Sequence, residues 1–379
     1  MNGQMLHDVV VIGAGIAGAS AAAELAKEAK VVLLEMENHP GYHTTGRSAA
    51  VFAPIYGPQP IRALTRASET FFKNPPDGFT ENPLLTPRGV MMIATEDQMG
   101  HLEAAYAELR HEGELVWLDA NQVREKLPLL RPGYPAGGFY DAASMDIDVH
   151  ALHQGYLREF KARGGILRTR AEVTALAQNG GVWTVTVGGD QFHAPVVINA
   201  SGAWADTVGQ MAGAEQIGLV PKRRTALIIN GPQGISVDHW PVAVDIDEAF
   251  YLKPDAGRLL ISPANEDPDV PSDVQPDELD IAICIDRIER AFDIQVRRIE
   301  NRWAGLRSFV PDKCPVVGFS GNQPGFYWLA GQGGYGIQSA PSLARLCAAQ
   351  VLQAPVPDDI LAFGLDPATL SPNRLGAIS

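Results

Sequence analysis

The fold is decided by the opening stretch Asp8-Val9-Val10-Val11-Ile12-Gly13-Ala14-Gly15-Ile16-Ala17-Gly18. Its continuous apolar run is typical of a strand that is buried on both faces of a parallel sheet. The alanine-rich residues 17–29 favour a helix, and residues 31–34 form a second apolar run that ends at Glu35. This order of strand, glycine turn, helix and strand predicts a βαβ unit that binds a dinucleotide.

The three glycines of this turn have separate physical roles. Gly13 permits the tight turn, Gly15 lets the backbone approach a pyrophosphate, and Gly18 lets the helix pack closely on the strand. The helix N-terminus then offers free N–H groups and a partial positive charge to the phosphates. Glu35 ends the second strand, where a carboxylate accepts hydrogen bonds from ribose hydroxyls and disfavours NADP. The motif by itself admits both NAD and FAD.

The composition restricts the class of protein. The chain has 379 residues, which suggests two domains, and its formal net charge of −14 leaves no excess of cations to neutralise a nucleic acid. The three cysteines, Cys284, Cys314 and Cys347, have no metal-ligand spacing, and their low number fits a reducing compartment. Neither a leader peptide nor an apolar stretch of about 18 residues is recognised. We therefore predict a cytoplasmic protein without a transmembrane segment, a metal or a nucleic-acid partner.

Later segments predict that the dinucleotide domain is discontinuous. Residues 196–200 and 326–330 are further buried strands, and each leads into a turn of small residues. Residues 219–310 are mainly alternating runs separated by turns, which indicates an antiparallel sheet with one or two helices. The predicted fold class is an α/β Rossmann domain of the glutathione-reductase type plus an α+β substrate domain. The ranges assigned are 1–83, 146–217 and 311–379 for the first domain, and 84–145 and 218–310 for the second.

Several longer strings carry a family resemblance. They are Pro40-Gly41-Tyr42-His43, His43-Thr44-Thr45-Gly46-Arg47-Ser48-Ala49-Ala50, Tyr251-Leu252-Lys253-Pro254-Asp255-Ala256-Gly257, Trp303-Ala304-Gly305-Leu306-Arg307 and Gly333-Gly334-Tyr335-Gly336-Ile337-Gln338. Together they resemble the D-amino-acid oxidase superfamily of FAD-dependent oxidoreductases, which has the fold of glycine oxidase and sarcosine oxidase. Within it, the chain is most similar to the bacterial FAD-dependent D-arginine dehydrogenases, from Asp8 to about Leu375.

The resemblance implies an extended FAD that is bound without a covalent bond. Residues 44–51 would line the isoalloxazine and the ribityl chain, Val173 would contact the adenine, and residues 333–338 would cover the pyrimidine side of the flavin. Some members attach FAD to a cysteine, but Cys314 falls past that position, so we expect it to be a packing residue. The expected cofactor-binding residues are Gly13, Gly15, Ala17, Gly18, Glu35, Met36, Thr44, Thr45, Gly46, Arg47, Ser48, Ala49, Ala50, Val51, Val173, Gly202, Gly333, Gly334, Tyr335, Gly336, Ile337 and Gln338.

The resemblance also implies the residues that hold the substrate. Arg307 would bind the α-carboxylate, since its planar fork matches a carboxylate in two hydrogen bonds, and Arg224 is a second candidate nearby. Tyr251 would donate to the same carboxylate, and Tyr56 resembles the tyrosine of a lid that closes over the substrate. The amino group would be received by backbone carbonyls near Gly334 and by the side chain of Gln338. The reaction implied is hydride transfer from Cα to flavin N5, which gives an imino acid that hydrolyses to a 2-oxo acid.

Two substrate-pocket positions depart from the D-arginine enzymes. Val51 replaces a histidine beside the substrate, and Val90 replaces the glutamate that meets the guanidinium. A buried charge without a partner costs about 3–5 kcal/mol, so we predict oxidation of neutral or apolar D-amino acids rather than D-Arg or D-Lys. The alternatives are a glycine- or sarcosine-type amine oxidase, a 2-hydroxy-acid dehydrogenase and a flavoprotein subunit without catalysis. The sequence leaves open whether a quinone or oxygen accepts the electrons.

Overall fold

The computed structural model describes residues 6–376. The strands are β1 (Val9–Ile12), β2 (Val31–Leu34), β3 (Val51–Phe52), β4 (Leu85–Pro87), β5 (Val90–Ala94), β6 (Leu115–Asp119), β7 (Gly137–Asp141), β8 (Met145–Ile147), β9 (Ile166–Arg168), β10 (Val173–Asn179), β11 (Val182–Val187), β12 (Asp190–Ala194), β13 (Val196–Asn199), β14 (Val220–Asn230), β15 (Val242–Asp245), β16 (Tyr251–Asp255), β17 (Arg258–Ser262), β18 (Asp267–Pro268), β19 (Ile299–Phe309), β20 (Val316–Phe319) and β21 (Phe326–Ala330).

Helices cover the sheets and connect them. They are α1 (Ile16–Leu25), α2 (Gln59–Lys73), α3 (Met99–Leu109), α4 (Ala120–Lys126), α5 (Val149–Ala162), α6 (Ala205–Ala212), α7 (Glu278–Ala291), α8 (Gly336–Val351) and α9 (Asp358–Leu361), with 3-10 turns at Glu96–Gln98, Gly202–Trp204, Pro367–Leu370 and Pro372–Leu375. Local signals place their ends: the Asp148 carboxylate, for example, accepts from the Ala151 N–H and caps α5. Within residues 6–376, no helix is long and apolar enough to cross a bilayer.

The first sheet is the predicted dinucleotide sheet. Its strand order is β20-β21-β13-β1-β2-β9, and all neighbouring pairs are parallel except β20 with β21. Every residue of β1, β2 and β21 is buried, because helices such as α1, α5 and α8 cover the sheet. A turn at residues 179–181 joins β10 to β11 in a separate antiparallel sheet of β10, β11 and β12.

The second large sheet is mainly antiparallel. Its order is β18-β14-β17-β16-β15-β5-β7-β6, with β19 paired to β14 over nearly its whole length. Helix α7 packs on one face of it, where Ile281, Cys284 and Ile288 are buried. The other face turns its side chains toward the parallel sheet. A small sheet of β3, β8 and β4 lies at the junction.

The strands of the two large sheets fall in the two sets of ranges assigned from the sequence. The six strands of the parallel sheet come from 1–83, 146–217 and 311–379, and those of the antiparallel sheet come from 84–145 and 218–310. The exact domain boundaries stay a prediction, since the β3-β8-β4 sheet takes strands from both sets. The helix predicted over 17–29 is shorter, because the chain turns after Leu25.

Candidate active site

The glycine turn between β1 and α1 brings three segments of backbone into direct contact. Gly13 has φ +96°, and a Cβ atom there would lie 2.4 Å from the Ala200 carbonyl oxygen at the end of β13. A Cβ at Gly18 would lie 1.8 Å from the Gly13 oxygen. Only glycine fits at either position, so the first turn of α1 lies against the ends of both strands.

The N-terminus of α1 retains N–H groups for a ligand. The Ala14 N–H donates to Glu35 Oε2 at 2.9 Å, and the Ile16 N–H donates to Thr45 Oγ1 at 2.9 Å. Within the described part of the chain, the N–H groups of Gly15 and Ala17 have no acceptor. Free N–H groups at the positive end of a helix suit a phosphate.

Glu35 is a buried acid beside this turn. Its side chain also accepts from the Glu37 N–H at 3.0 Å, so each carboxylate oxygen already receives one backbone donor. A carboxylate oxygen has a second lone pair, and Glu35 lines the cleft. It is therefore fixed in place and still able to accept from a hydroxyl of the ligand.

A continuous cleft of about 1720 Å³, part of it open to solvent, runs from this turn to the antiparallel sheet. Most of the predicted site residues line it: Gly13, Gly15, Ala17, Glu35, Met36, Thr44, Thr45, Arg47, Ser48, Ala49, Val173, Gly202, Arg224, Tyr251, Arg307, Gly333, Gly334, Gly336 and Ile337. The predicted residues outside its lining are Gly18, Gly46, Ala50, Val51, Tyr56, Val90, Tyr335 and Gln338. The structure thus brings both halves of the predicted site to one cleft.

Neighbouring strands place the two arginines at the far end of the cleft. In the β14–β19 pair, Arg224 is opposite Gly305, and Lys222 is opposite Arg307. Residues two apart on a strand point to the same face, so Arg224 and Arg307 are diagonal neighbours on the face toward the parallel sheet. The absence of a side chain at Gly305 leaves space between them.

Arg307 is a charged group without an acid that pairs with it directly. Burial lowers the pKa of Arg307, but the oxygens of Tyr56, Tyr251 and Glu248 outweigh that effect and raise it. Among residues 6–376 it forms no ion pair with a carboxylate. Its charge is therefore available to an anionic ligand. Burial in turn raises the pKa of Tyr56, which keeps that hydroxyl protonated.

Arg224 is more fully held by the protein. Its Nε donates to the Asn265 carbonyl at 2.9 Å, and its Nη2 lies 3.3 Å from Glu266. Glu266 is shared with Lys222 at 2.9 Å and Lys313 at 3.3 Å. Burial and the charge of Arg307 both lower the pKa of Arg224. This end of the cleft therefore carries an excess of positive charge, although the chain as a whole is strongly acidic.

Two of the predicted residues make polar contacts within the protein. Gln338 accepts from the Ala53 N–H at 3.0 Å through Oε1, and its amide nitrogen is buried without an acceptor among the described residues. Arg47 donates to the carbonyls of Val274 and Ala304, and Asp273 also pairs with it. Gln338 and Arg47 thus form hydrogen bonds or ion pairs within the protein.

Three charged residues near the cleft were not predicted from the sequence. Glu248 has φ +55°, which is unusual for a residue with a side chain, and its charge acts on Tyr56 and Arg307. Arg62 pairs with Glu112 and donates to the carbonyl of Gly57, in the turn at residues 53–57 that carries Tyr56 (the Tyr56 turn). No motif marks them, because Arg62 and Glu112 are fifty residues apart and a left-handed glutamate has no local sequence signature.

The cleft fits a dinucleotide cofactor on its own geometry. The backbone at Gly13 leaves no room for a side chain, N–H groups of the turn are free, and Glu35 can accept a hydroxyl. At the other end the buried amide nitrogen of Gln332, a lining residue, has no acceptor within residues 6–376. A bound group with acceptor atoms would satisfy it.

Comparisons with known proteins agree with this geometry. Residues 8–350 match the DAO family, described as FAD dependent oxidoreductase. Human mitochondrial dimethylglycine dehydrogenase is 26% identical over 286 residues, which are 70% of this chain and 32% of that protein. L-2-hydroxyglutarate dehydrogenase of Escherichia coli is 30% identical over 223 residues, or 55% of this chain and 51% of that protein. This chain thus spans about a third and about half of those relatives.

The fold has a solved counterpart that it covers almost completely. The crystal structure of glycine oxidase from Geobacillus kaustophilus superimposes with a TM-score of 0.84 and 22% identity, over 97% of this chain and 99% of that chain. The predicted fold class, a Rossmann-like domain plus a substrate domain, is thereby confirmed.

Proposed function

The chain belongs to the DAO family of FAD-dependent oxidoreductases, and from this premise we propose that it oxidises D-amino acids with neutral or apolar side chains to imino acids. The family resemblance and the FAD cofactor predicted from the sequence are confirmed. The D configuration is proposed from the resemblance of the chain to D-arginine dehydrogenases. The neutral side chain is proposed because the wall beside the arginines is apolar and the acids opposite Val51 and Val90 are already occupied.

The observation that carries the proposal is Arg307, a cation in the cleft without a carboxylate partner among the described residues. Its guanidinium would bind the substrate carboxylate through two parallel hydrogen bonds. Tyr251 lines the same end of the cleft, and Tyr56 faces Arg307 from the side. A substrate held there by its carboxylate would have its α-carbon near the middle of the cleft.

The wall next to the arginines is apolar. Ala226 and Trp303 are opposite each other on β14 and β19, two residues along from Arg224 and Gly305. Ala226, Ile228 and Leu260 form a buried cluster, and the other members packed against it are Ala49, Tyr251 and Trp303. A hydrocarbon side chain that extends from the carboxylate site would meet this cluster, and each buried CH₂ contributes about 0.8 kcal/mol.

The acids opposite the two pocket valines offer no free partner to a cationic side chain. Asp146 is opposite Val51, and its carboxylate is already paired with Arg88 at 2.7 Å and Lys253 at 2.9 Å. Asp141 is opposite Val90 and accepts from the Ser144 hydroxyl at 2.6 Å. Both acids are occupied, and Lys253 adds a further positive charge. This supports weak turnover of D-Arg and D-Lys.

We also propose that FAD is bound without a covalent bond. All three cysteines are free and buried, and none of them lines the cleft. Burial raises the pKa of the Cys314 thiol, and the nearby charge of Asp312 raises it further. A buried thiol of raised pKa is a poor nucleophile. Acid precipitation of the holoenzyme should release yellow colour to the supernatant; colour that stays in the pellet would contradict this.

The contributions of the chain to the reaction follow from these positions. FAD supplies the acceptor for the electron pair of the Cα–H bond. Arg307, Tyr251 and Tyr56 would fix the carboxylate, and the apolar cluster would fix the side chain, so that one C–H bond is oriented toward the cofactor. The imino acid released would hydrolyse in water to a 2-oxo acid. The substrate ammonium would first lose its proton to solvent, because only the neutral amine can stabilise the loss of hydride from Cα.

Anaerobic bleaching of the flavin tests the proposal. D-Leu, D-Met and D-Phe should bleach the holoenzyme with kcat/KM about 100-fold or more above D-Arg and D-Lys, since a buried unpaired charge costs about 3–5 kcal/mol. L-Leu is the control for configuration. Fast bleaching by D-Arg would contradict the proposed side-chain class, and bleaching by L-Leu alone would contradict the configuration. Peroxide yield in air then separates an oxidase from a dehydrogenase.

A 2-hydroxy acid is the second candidate substrate. Gln338 Oε1, the predicted receptor for the amino group, already accepts from the Ala53 N–H and has one lone pair left. That lone pair could accept from an amine or from a hydroxyl, so it does not distinguish the two. One relative is named L-2-hydroxyglutarate dehydrogenase. Bleaching by L-2-hydroxyglutarate, with none by glycine, sarcosine or the D-amino acids, would favour this candidate. Failure of all of them to bleach the flavin would favour a non-catalytic subunit.

A further inference from the structure

The turn that carries Tyr56, residues 53–57, is held at both ends by hydrogen bonds. At its start, the Ala53 N–H donates to Gln338 Oε1 at 3.0 Å. At its end, Arg62 Nη1 donates to the Gly57 carbonyl at 2.9 Å. Between these points the Tyr56 ring lies edge-on to Tyr335, with centroids 5.1 Å apart. The position of the Tyr56 hydroxyl over Arg307 therefore depends on two anchors.

Gly57 makes the second anchor sensitive to its surroundings. Its φ is +96°, and a Cβ atom there would lie 2.9 Å from the Tyr335 ring. The backbone is thus pressed against an aromatic side chain in a conformation that side chains disfavour. Its carbonyl direction is fixed mainly by the hydrogen bond from Arg62, because glycine itself imposes little preference.

Arg62 is itself held by the segment between α3 and β6, which belongs to the antiparallel-sheet part of the chain. Arg62 is 8% exposed, and its Nε and Nη2 donate to the two oxygens of Glu112 at 3.0 and 2.9 Å. The same Nη2 also lies 3.1 Å from Glu108 Oε1. Glu112 follows α3, which packs on β5 and β7 of the antiparallel sheet. Bidentate pairs of this kind fix direction as well as distance. Arg62 therefore joins the Tyr56 turn to the segment after α3.

We propose that Arg62 is a positioning residue that couples the placement of Tyr56 over Arg307 to the contact between α2 and the segment after α3. When Glu112 holds Arg62, the Gly57 carbonyl is held and Tyr56 faces the carboxylate site. When that contact separates, the turn loses its second anchor and Tyr56 leaves Arg307. The inference rests on the proposed function only in taking a carboxylate as the ligand of Arg307.

The chain provides a matched control in Arg66. Its guanidinium also pairs with Glu112 from the next turn of α2, but it makes no contact with Gly57. Arg62→Met and Arg66→Met therefore each remove a charge that pairs with Glu112. Only the first removes the anchor of the turn, and it also removes the exposed pair of Arg62 with Glu108. Arg62→Lys retains the charge and tests whether the fork is required.

Three measurements on the holoenzyme test the coupling. Hydrogen exchange of the peptide that contains residues 53–57 reads the turn directly, through the Tyr56 N–H bonded to the Ala53 carbonyl at 3.0 Å. Perturbation of the flavin spectrum by benzoate, a carboxylate that is not oxidised, gives a Kd that needs no turnover. Steady-state rates with the best substrate separate KM from kcat. The FAD content and Tm of each variant show whether it is folded.

For Arg62→Met we expect exchange at 53–57 to rise about 10-fold or more, and the benzoate Kd and the KM to rise about 10- to 30-fold, as for the loss of one charge-assisted hydrogen bond. The kcat should change less than about threefold. Arg66→Met should leave the exchange and the Kd within about twofold. If Arg62→Met does not fold, Glu112→Gln replaces it and should shift both readouts in the same direction.

Two results would overturn the inference. One is that Arg62→Met and Arg66→Met change the exchange and the Kd equally, since Arg62 would then act only through general stability. The other is unchanged exchange at 53–57 in a folded Arg62→Met enzyme. Failure of every substrate to bleach the flavin would contradict the proposed function, whereas the exchange and benzoate measurements would still decide the coupling.

Discussion

The two ends of the cleft bind by different means. At the glycine turn a ligand would meet mainly backbone: the N–H groups of residues 15 and 17, beside the fixed carboxylate of Glu35. At the antiparallel sheet it meets side chains, namely Arg307, Arg224 and Tyr251, on a surface with excess positive charge. Contacts to backbone do not depend on which side chains the turn carries, whereas contacts to side chains change with a single substitution.

The difference also concerns how each end is assembled. The turn and Glu35 come from residues 8–35, one continuous βαβ unit. The other end combines the β14 and β19 strands with the Tyr56 turn and the loop before α8, which are distant in sequence. The side-chain end therefore depends on tertiary packing, and truncation of its arginines should affect the substrate without affecting FAD.

Arg307→Met should produce the largest effect. Truncating a buried charge that binds an ionic partner costs 2–5 kcal/mol in related cases, so kcat/KM for the best amino acid should fall about 1000-fold, or about 4 kcal/mol. The FAD content should stay at the level of the unmodified enzyme. Stopped-flow bleaching and the flavin absorbance per chain measure the two quantities.

Arg302→Met is the matched control for this change. Arg302 is on the same strand but is half exposed and pairs with Glu278 on the surface, so kcat/KM should stay within about twofold. If Arg307→Met keeps kcat/KM within tenfold of the unmodified enzyme, the carboxylate binds elsewhere, and the side-chain end of the cleft has been assigned to the wrong residues.

Gly18→Ala tests the backbone end of the cleft, at the glycine turn. The added Cβ would lie 1.8 Å from the Gly13 oxygen, and overpacking of this kind costs about 3 kcal/mol. Relief of the clash must move α1 or the turn, so we expect loss of most bound FAD and a lower Tm. Gly100→Ala on α3 is the control, because a Cβ there meets no atom within 4 Å. Full FAD content in Gly18→Ala would show that the turn tolerates a shift of the helix.

The same contrast explains what the sequence could predict. The glycine turn, Glu35 and the flanking strands are local patterns, so their positions in the cleft follow from 28 consecutive residues once the helix and strand periods are recognised. Arg307 and Tyr251 were reached through strings that resemble a family. The side-chain roles of these residues stay predictions.

Contacts between distant segments were beyond sequence reasoning. The pairing of Arg62 with Glu112 depends on how α2 and the segment after α3 meet, and no periodicity encodes it. Gln338 was expected to receive the substrate amine, but its oxygen accepts from Ala53. The sequence of an amide residue at the start of a helix is the same whether its side chain faces a ligand or a turn. Only the tertiary packing that brings Ala53 next to α8 decides which.

The smallest effect is expected from pH, through a histidine behind the backbone end. His153 is buried, its Nε2 donates to the Ala14 carbonyl at 2.9 Å, and a Cβ atom at Gly41 would lie 2.9 Å from its ring. Burial lowers the pKa of His153 below 6.5, although the hydrogen bond to Ala14 opposes this. The unfolded chain therefore binds the proton more tightly, so the free energy of unfolding should decrease as the pH falls below 6.5. One proton limits this slope to about 1.4 kcal/mol per pH unit.

His153→Gln isolates that contribution, because glutamine retains an N–H donor for Ala14 and does not titrate. Urea unfolding of the holoenzyme at pH 7.5 and at lower pH gives the slope for both proteins. All other titrating groups are common to the pair, so the variant should lose less stability on acidification than the unmodified enzyme. Equal slopes would mean that His153 becomes protonated without strain, and the backbone end would then be less rigid than its close contacts at Gly13 and Gly18 require.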